Sequence, residues 1–401
     1  MPSTRPRLAI IWLTIFIDLV GFGIVMPLLP FYSQRFGAHG MGYGALVAAF
    51  SLMQFVATAF LGRLSDRIGR RPILLVTMLM NAAGYTLFAF APSYWLLLLS
   101  RLVSGFAGGN ISAAQAYVAD ITTPQERSKG MGLIGMAFGL GFTMGPAIGV
   151  AATRLGHAGP GLVAVGLSLV NLVSAYFILP ESLRAEHRAV REVWPFRHMA
   201  QALAHPELRA LMLVWWIAPF AFAGYTVALP LWGSATMHWT EKGGELNAFF
   251  VLVGVVAAVV QGGLFRLLTR RFNDRTLLIT GMAGMAVSIG IVPFLESTRA
   301  LYGWTVLLAF SNSIMSPAAS GLVSTFAAAN EQGTVLGVAQ SLSALGRFSG
   351  PAVMGATYDS VAPRVAFLAA AGVMLVGWVA SLGVPQPARG DRPSSLAPGA
   401  G

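Results

Sequence analysis

The sequence predicts an all-α polytopic membrane protein: twelve transmembrane helices in two six-helix pseudo-repeats around a central cavity. Three observations carry that prediction. Of 401 residues, 56% are hydrophobic and only 10% are charged, where a soluble domain of this size carries about 25% charged residues. Apolar runs of about 20 residues, the length that crosses the hydrocarbon of a bilayer, recur along the whole chain. The basic residues, in excess at a net charge of +11, sit in a few turns between those runs and not evenly along the sequence.

The runs fall at residues 8–32, 43–63, 72–91, 94–117, 129–153, 160–180, 210–233, 246–268, 275–295, 300–323, 333–357 and 363–384, numbered here as spans 1 to 12. They are continuous apolar stretches, so helices fit better than barrel strands, which alternate over about 10 residues. The amino terminus, MPSTRPR, is short and basic, leads straight into span 1 and is followed by no small-residue cleavage site, which predicts a retained first helix. The longest polar connection, 181–209, divides the chain. A first six-helix bundle is expected over 1–180, a cytoplasmic linker over 181–209 and a second bundle over 210–384. The Pro/Gly/Ser-rich tail, 385–401, is expected to be disordered.

Charge orients the spans. With the amino terminus inside, the inner segments hold Arg5, Arg7, Arg63, Arg67, Arg70, Arg71, Arg127, Lys129, Arg184, Arg188, Arg191, Arg197, Arg209, Arg266, Arg270, Arg271, Arg275, Arg389 and Arg392. These are 19 of the 26 Lys and Arg. The opposite side holds Arg35, Arg154, Lys242, Arg299 and Arg364, while Arg101 and Arg347 lie inside spans. This bias places both termini in the cytoplasm, and a bacterial plasma (inner) membrane is expected. The distribution also argues against a nucleic-acid partner, which would need the basic residues gathered on one face.

The two halves repeat. The run Gly139–Gly149 in span 5 is echoed by Gly346–Gly355 in span 11, with the pairs Gly145-Pro146 and Gly350-Pro351 offset by 205 residues. Glu126 and Glu331 keep the same offset. The basic turn GRLSDRIGRR, Gly62–Arg71, is echoed by Gly263–Phe272 after span 8, which keeps arginines but has no acid. A parallel duplication of this kind sets corresponding helices around an axis along the membrane normal, with the cavity between the halves.

Four motifs in order now resemble one family. Span 1 carries Asp18, Gly21, Gly23, Pro27 and Pro30, and the turn Gly62–Arg71 follows span 2. RLVSGFAGG, Arg101–Gly109, lies in span 4, and Gly141, Gly145, Pro146 and Gly149 lie in span 5. Together they resemble the drug:proton antiporters of the major facilitator superfamily, the tetracycline exporters among them, over essentially the whole chain. The resemblance implies secondary transport by alternating access, with protons as the coupling ion and no other cofactor. It implies that Asp66, with Gly62, Arg67, Gly69, Arg70 and Arg71, forms a latch that closes the cytoplasmic side by engaging the start of helix 11. It also implies that Gly141, Gly145, Pro146 and Gly149, with Gly350 and Pro351, form a hinge or seal between the halves. One departure is plain: tetracycline exporters carry an acid in the third helix, where this chain reads MNAAGYTLF, with Asn81 and Gly84.

The residues themselves support candidate sites. Asp18 is the only acid well inside a span. A carboxylate in hydrocarbon costs a few kcal/mol unless it faces a cavity or a partner, and taking up a proton removes the charge. Asp18 therefore reads as the proton-coupling or cation-binding group, or as a structural carboxylate holding backbone near Gly21 and Gly23. Arg101 reads as its electrostatic partner or as a snorkelling cation near the end of span 4. Arg347 reads as a contact for an anionic substrate group, as a partner for Asp18 across the halves, or as a packed cation. Gln54, Asn110, Gln115, Asn312 and Gln340, with Trp216 and Tyr225, are further cavity candidates, and Asn81 is another intramembrane amide. Such a weakly polar, aromatic lining suits small amphipathic compounds better than sugars. Thr123-Pro124-Gln125-Glu126 reads as a capping box with Pro at the first helical position.

Other classes fit less well. The chain has no cysteine, which removes disulfides and thiolate chemistry, and it carries no metal cluster, nucleophile elbow or phosphate loop. It is read as a transporter and not an enzyme, a monomer in the lipid bilayer whose partners are a small-molecule substrate and protons. A metabolite uniporter or importer and a transporter-like sensor remain open.

Overall fold

A computed structural model describes residues 4–122, 137, 140–141, 143–183, 206–240, 244–326 and 332–386. The capping box at Thr123–Glu126, Glu331, most of the linker and most of the tail lie outside the described residues. Every regular element described is helical. Nine helices among the described residues are long and apolar enough to cross a membrane. A tenth span forms if the bent pair Ala9–Val25 and Leu29–Arg35, at 42°, counts as one.

Those ten correspond to spans 1–4, 6–10 and 12. Span 1 breaks where Pro27 sits between the two helices, since proline withholds an amide from the ladder. Span 4 is interrupted midway, with Tyr94–Ala107 and Ile111–Ile121 joined by the 3-10 turn Gly108–Asn110. The remaining two spans are less apolar or less fully described. Span 5 is helical over 143–153 in its described part, apart from the turn at its end. Span 11 is the 29-residue helix Gln332–Ser360, with Pro351 inside it. The helices of the twelve-helix reading are thus present in order.

The two basic segments differ from the expected turns. Helix Gly40–Ile68 runs straight through Gly62, and only Gly69, at φ 113°, turns the chain into Arg70–Ala89. Gly62 instead lets spans 2 and 4 approach: a methyl group there would lie 3.3 Å from Ser112 Oγ. The echo Gly263–Phe272 is helical as far as Arg271, entered through a π turn at Val260–Leu264.

Two ends of the molecule are distinguished below. The near end carries the amino terminus and the Gly62–Arg71 segment, and the far end carries Gly40 and Asp359. Packing in the first half centres on two apolar clusters, one toward each end. A third cluster fills the second half. The far-end cluster takes in Val227 and Leu231 of span 7 beside Tyr43, Leu46 and Val47 of span 2. Span 2 also packs closely along span 11, where a methyl on Gly44 would run into the Pro351 carbonyl. Asp359, at the end of span 11, caps the start of span 2 by accepting from the amides of Gly40 at 2.8 Å and Met41 at 2.7 Å. Gln34 reaches Ser234 across the same end at 3.5 Å. The halves therefore meet tightly at the far end.

Candidate functional site

Asp18 lies midway along span 1, where neighbouring spans bring two amides to it. Asn110 Nδ2 donates to one carboxylate oxygen at 2.7 Å, and Asn81 Nδ2 donates to the other at 3.2 Å. Asn110 is placed by the 3-10 turn that interrupts span 4, and Asn81 is buried on span 3. Each amide also has a carbonyl oxygen, so the cluster can accept as well as donate. It holds a carboxylate in hydrogen bonds, with no cation paired to it among the described residues.

Arg101 is buried, at 3% exposure, but does not pair with Asp18. Its Nε donates to Ser100 Oγ at 3.2 Å, and its guanidinium stands 5.2 Å from the centre of the Phe88 ring. One guanidinium nitrogen has no partner, and neither does the Ser104 hydroxyl one turn away. Between the two charges sits Tyr85, one helical turn beyond Asn81, packed against Gly21, which is one turn beyond Asp18. Nine residues of helix separate Arg101 from Asn110, about 13 Å at 1.5 Å per residue, so the expected pairing is absent here for simple reasons of height. The arginine is buried rather than snorkelling because an aromatic face, Phe88, receives it.

The glycines of span 5 pack on the helix that carries Asp18. A methyl on Gly141 would lie 2.6 Å from Leu19 Cβ, on Gly145 2.6 Å from Gly23 Cα, and on Gly149 2.8 Å from the Ile24 carbonyl. The echo packs alike in the second half. Gly346 and Gly350 lie against the carbonyls of Trp216 and Phe220 on span 7. Pro146 and Pro351 directly follow Gly145 and Gly350, and Pro351 turns its own carbonyl to Gly44 of the other half.

In the Gly62–Arg71 segment, Asp66 pairs with Arg70 at 2.6 Å, within its own half. Arg70 also reaches Ser65 at 2.6 Å and Asp120 at 3.3 Å. Among the described residues no contact joins Asp66 to the start of span 11, and the halves join at the opposite end. Arg67 is exposed, and Arg71 bonds the Tyr176 carbonyl at 2.6 Å. Glu181 was not among the sequence candidates. Its carboxylate accepts from the amides of Arg70 at 2.9 Å and Arg71 at 3.2 Å, closing the exposed start of span 3. Its nearness to Gly69 in space had no sequence signal, because 111 residues separate it from Arg70.

The cavity candidates divide. Gln54 bridges spans 2 and 4 by donating to the Gly108 carbonyl at 3.3 Å. Gln115 and Gln340 are exposed, and Asn312 is half-buried. Trp216 lines a cleft of about 450 Å³ with Arg209, Met212, Leu213, Leu342 and Leu345 at the near ends of spans 7 and 11. Tyr225 is a correction: it is 2% exposed and packs on Phe249 and Phe367 in the core of the second half, away from any open face. Aromatic bulk drew it inward. Arg347 donates to Ser343 Oγ at 2.6 Å and pairs with no acid among the described residues.

Comparison with known proteins decides the family. The model of the Major Facilitator Superfamily matches residues 11–271 and 263–399. The chain belongs to this superfamily. It is 31% identical to the class C tetracycline resistance protein of Escherichia coli, over 90% of this chain and 91% of that one. Multidrug resistance protein 2 of Bacillus subtilis is 30% identical over 90% and 91%. Among solved structures, the human organic anion transporter MFSD10 superposes with a TM-score of 0.72 at 26% identity, covering 95% of this chain and all of that one. The fold of this superfamily member is therefore that of a transporter seated in a lipid bilayer. Within it, Asn81 is the span 3 residue that touches Asp18, in the helix where the tetracycline exporters are expected to have an acid.

Proposed function

We propose that this superfamily member is a proton-coupled exporter of small amphipathic compounds that works by alternating access in a bacterial plasma membrane. The near end is the cytoplasmic side, as the basic bias of its segments supports. The division at 181–209 separates two bundles that rock against each other, and Gly69, Arg70 and Arg71 with Glu181 and Asp66 form the inner edge of the first. The observation that carries the reading is Asp18, the one acid inside a span, held by two amides that cannot ionise. Protons arriving from outside load Asp18 and the cycle releases them inside, while substrate leaves in the opposite sense. Arg101 stands by as the charge that meets Asp18 if span 1 shifts along span 4. The similarity to tetracycline and multidrug resistance proteins supports efflux. The missing acid in span 3 sets metal-chelated tetracycline apart from the expected cargo.

The test is efflux from proteoliposomes under an imposed proton gradient, with and without an uncoupler. Wild-type protein is expected to move substrate only while the gradient lasts, and Asp18→Asn to insert normally and lose the coupled movement. Gradient-driven transport at the wild-type rate by Asp18→Asn would remove the assignment. Downhill flux indifferent to the uncoupler would favour a uniporter with Asp18 as a structural group.

A further inference from the structure

We propose that Arg347 and Ser343 form an anion subsite on the cavity face of span 11, and that it takes the carboxylate of an amphipathic organic acid. This names the substrate class and rests on the transport reading above. The face is fixed by contacts on the same helix. Gly346 and Gly350 turn toward the carbonyls of Trp216 and Phe220 on span 7, while the Pro351 carbonyl turns toward Gly44 on span 2. Leu345 is 43% exposed and marks the outward side. At 100° per residue, Ser343 and Arg347 point between the directions of span 7 and span 2. They lie below the far-end closure; Ser343 is 4% exposed, and Arg347 stands beside it on that side of the helix.

The chemistry of that position is incomplete without a ligand. The guanidinium is part-buried, and among the described residues its one hydrogen bond goes to the Ser343 hydroxyl at 2.6 Å. That bond fixes one nitrogen and leaves the other edge of a planar five-donor fork unused. The acids of the second half lie at span ends or between spans, and Asp18 of the first half is already taken by Asn81 and Asn110. A permanent charge in a membrane interior needs a counter-charge or water, and here a mobile anion supplies it. A carboxylate matches the fork in plane and spacing, and its apolar remainder finds the weakly polar walls of the cavity.

The experiment uses the purified full chain in nanodiscs, with no proton gradient. The probe is 2-naphthoate, compared with its methyl ester and with inorganic phosphate and chloride, and binding is read from the shift in thermal unfolding and from titration. Naphthoate is expected to stabilise wild-type protein and the uncharged ester is not. Arg347→Gln is expected to weaken naphthoate by about tenfold to a hundredfold, the loss of a charge-assisted hydrogen-bonded pair. Ser343→Ala is expected to weaken it less, and Arg347→Lys to restore part of the affinity. Binding is read with no gradient present, so failure of coupling and failure of the subsite are separable. Equal binding of acid and ester, no binding of naphthoate, or unchanged affinity in Arg347→Gln would each overturn the proposal. Stabilisation by phosphate or chloride as strong as by naphthoate would assign the site to an inorganic anion and overturn the carboxylate. The ester comparison is made on wild-type protein, so a misfolded Arg347 variant leaves the test intact.

Discussion

Removing the Asp359 carboxylate should open the far end. That carboxylate accepts two amides of the first turn of span 2, at 2.8 and 2.7 Å, so one half of the molecule caps a helix of the other. Replacing an aspartate cap by alanine costs a helix about 0.5–2 kcal/mol. Asp359 is exposed, which keeps the figure within the ordinary range for caps. The cap exists only while spans 2 and 11 are together at that end, so its whole loss falls on the closed form. Asp359→Ala should therefore reduce the ratio of closed to open by about 2- to 30-fold. The natural chain has no cysteine, so a single reporter can be placed without removing others. Val227→Cys is suitable because Val227 is fully buried in the cluster that joins the halves. Its rate of modification by a membrane-impermeant maleimide, applied from the far side, should rise by the same factor in Asp359→Ala. An unchanged rate would refute the reasoning and reduce the Asp359 contact to a local helix cap. Asp359→Glu, which keeps the charge but lengthens the arm, should fall between the two.

Four further substitutions test the close contacts. Gly145→Ala places a methyl 2.6 Å from Gly23 Cα, backbone that cannot yield cheaply; it should lower stability by about 1–3 kcal/mol and slow transport. Gly262→Ala, with open space around it, should do neither, and thermal unfolding of both variants beside a flux assay checks the pair. Gly69→Ala forces a side chain into φ 113° and against Glu181, a strain of about 1–3 kcal/mol readable as a lower midpoint of thermal unfolding. Glu181→Ala removes the carboxylate that caps span 3 and should cost about 1 kcal/mol in the same measurement.

The helices were legible because hydrocarbon thickness imposes a length that apolar runs display directly, and because the two halves repeat. Their ends were not. Span 2 is expected to end at residue 63, yet its helix continues to Ile68, since arginines at the membrane edge are solvated and favour helix well enough. The location of Asp18 could be read because an acid among apolar residues stands out. Its partners could not, because asparagines in hydrocarbon are satisfied by whatever lies opposite, and only the fold brings Asn81 and Asn110 to it. Tyr225 misled because an aromatic ring with a hydroxyl suits a cavity wall and a packed core equally by sequence. Glu181 was hidden by distance along the chain. The glycine stripe of span 5 is recognisable as a close-packing face, but which helix lies against it, and that this helix carries the acid, is decided only by the fold.

The amide cradle of Asp18 has an electrical consequence. Asn81 and Asn110 keep their charge fixed at every pH, so the carboxylate between them can change its charge by one unit and no more. A cargo that leaves as a monocation while one proton enters then transfers no net charge, and membrane voltage neither helps nor hinders it. A cargo that leaves as a monoanion against one proton carries two charges in the same sense. Each is worth about 2.3 kcal/mol per 100 mV, so such a cycle would draw on voltage even with no difference in pH.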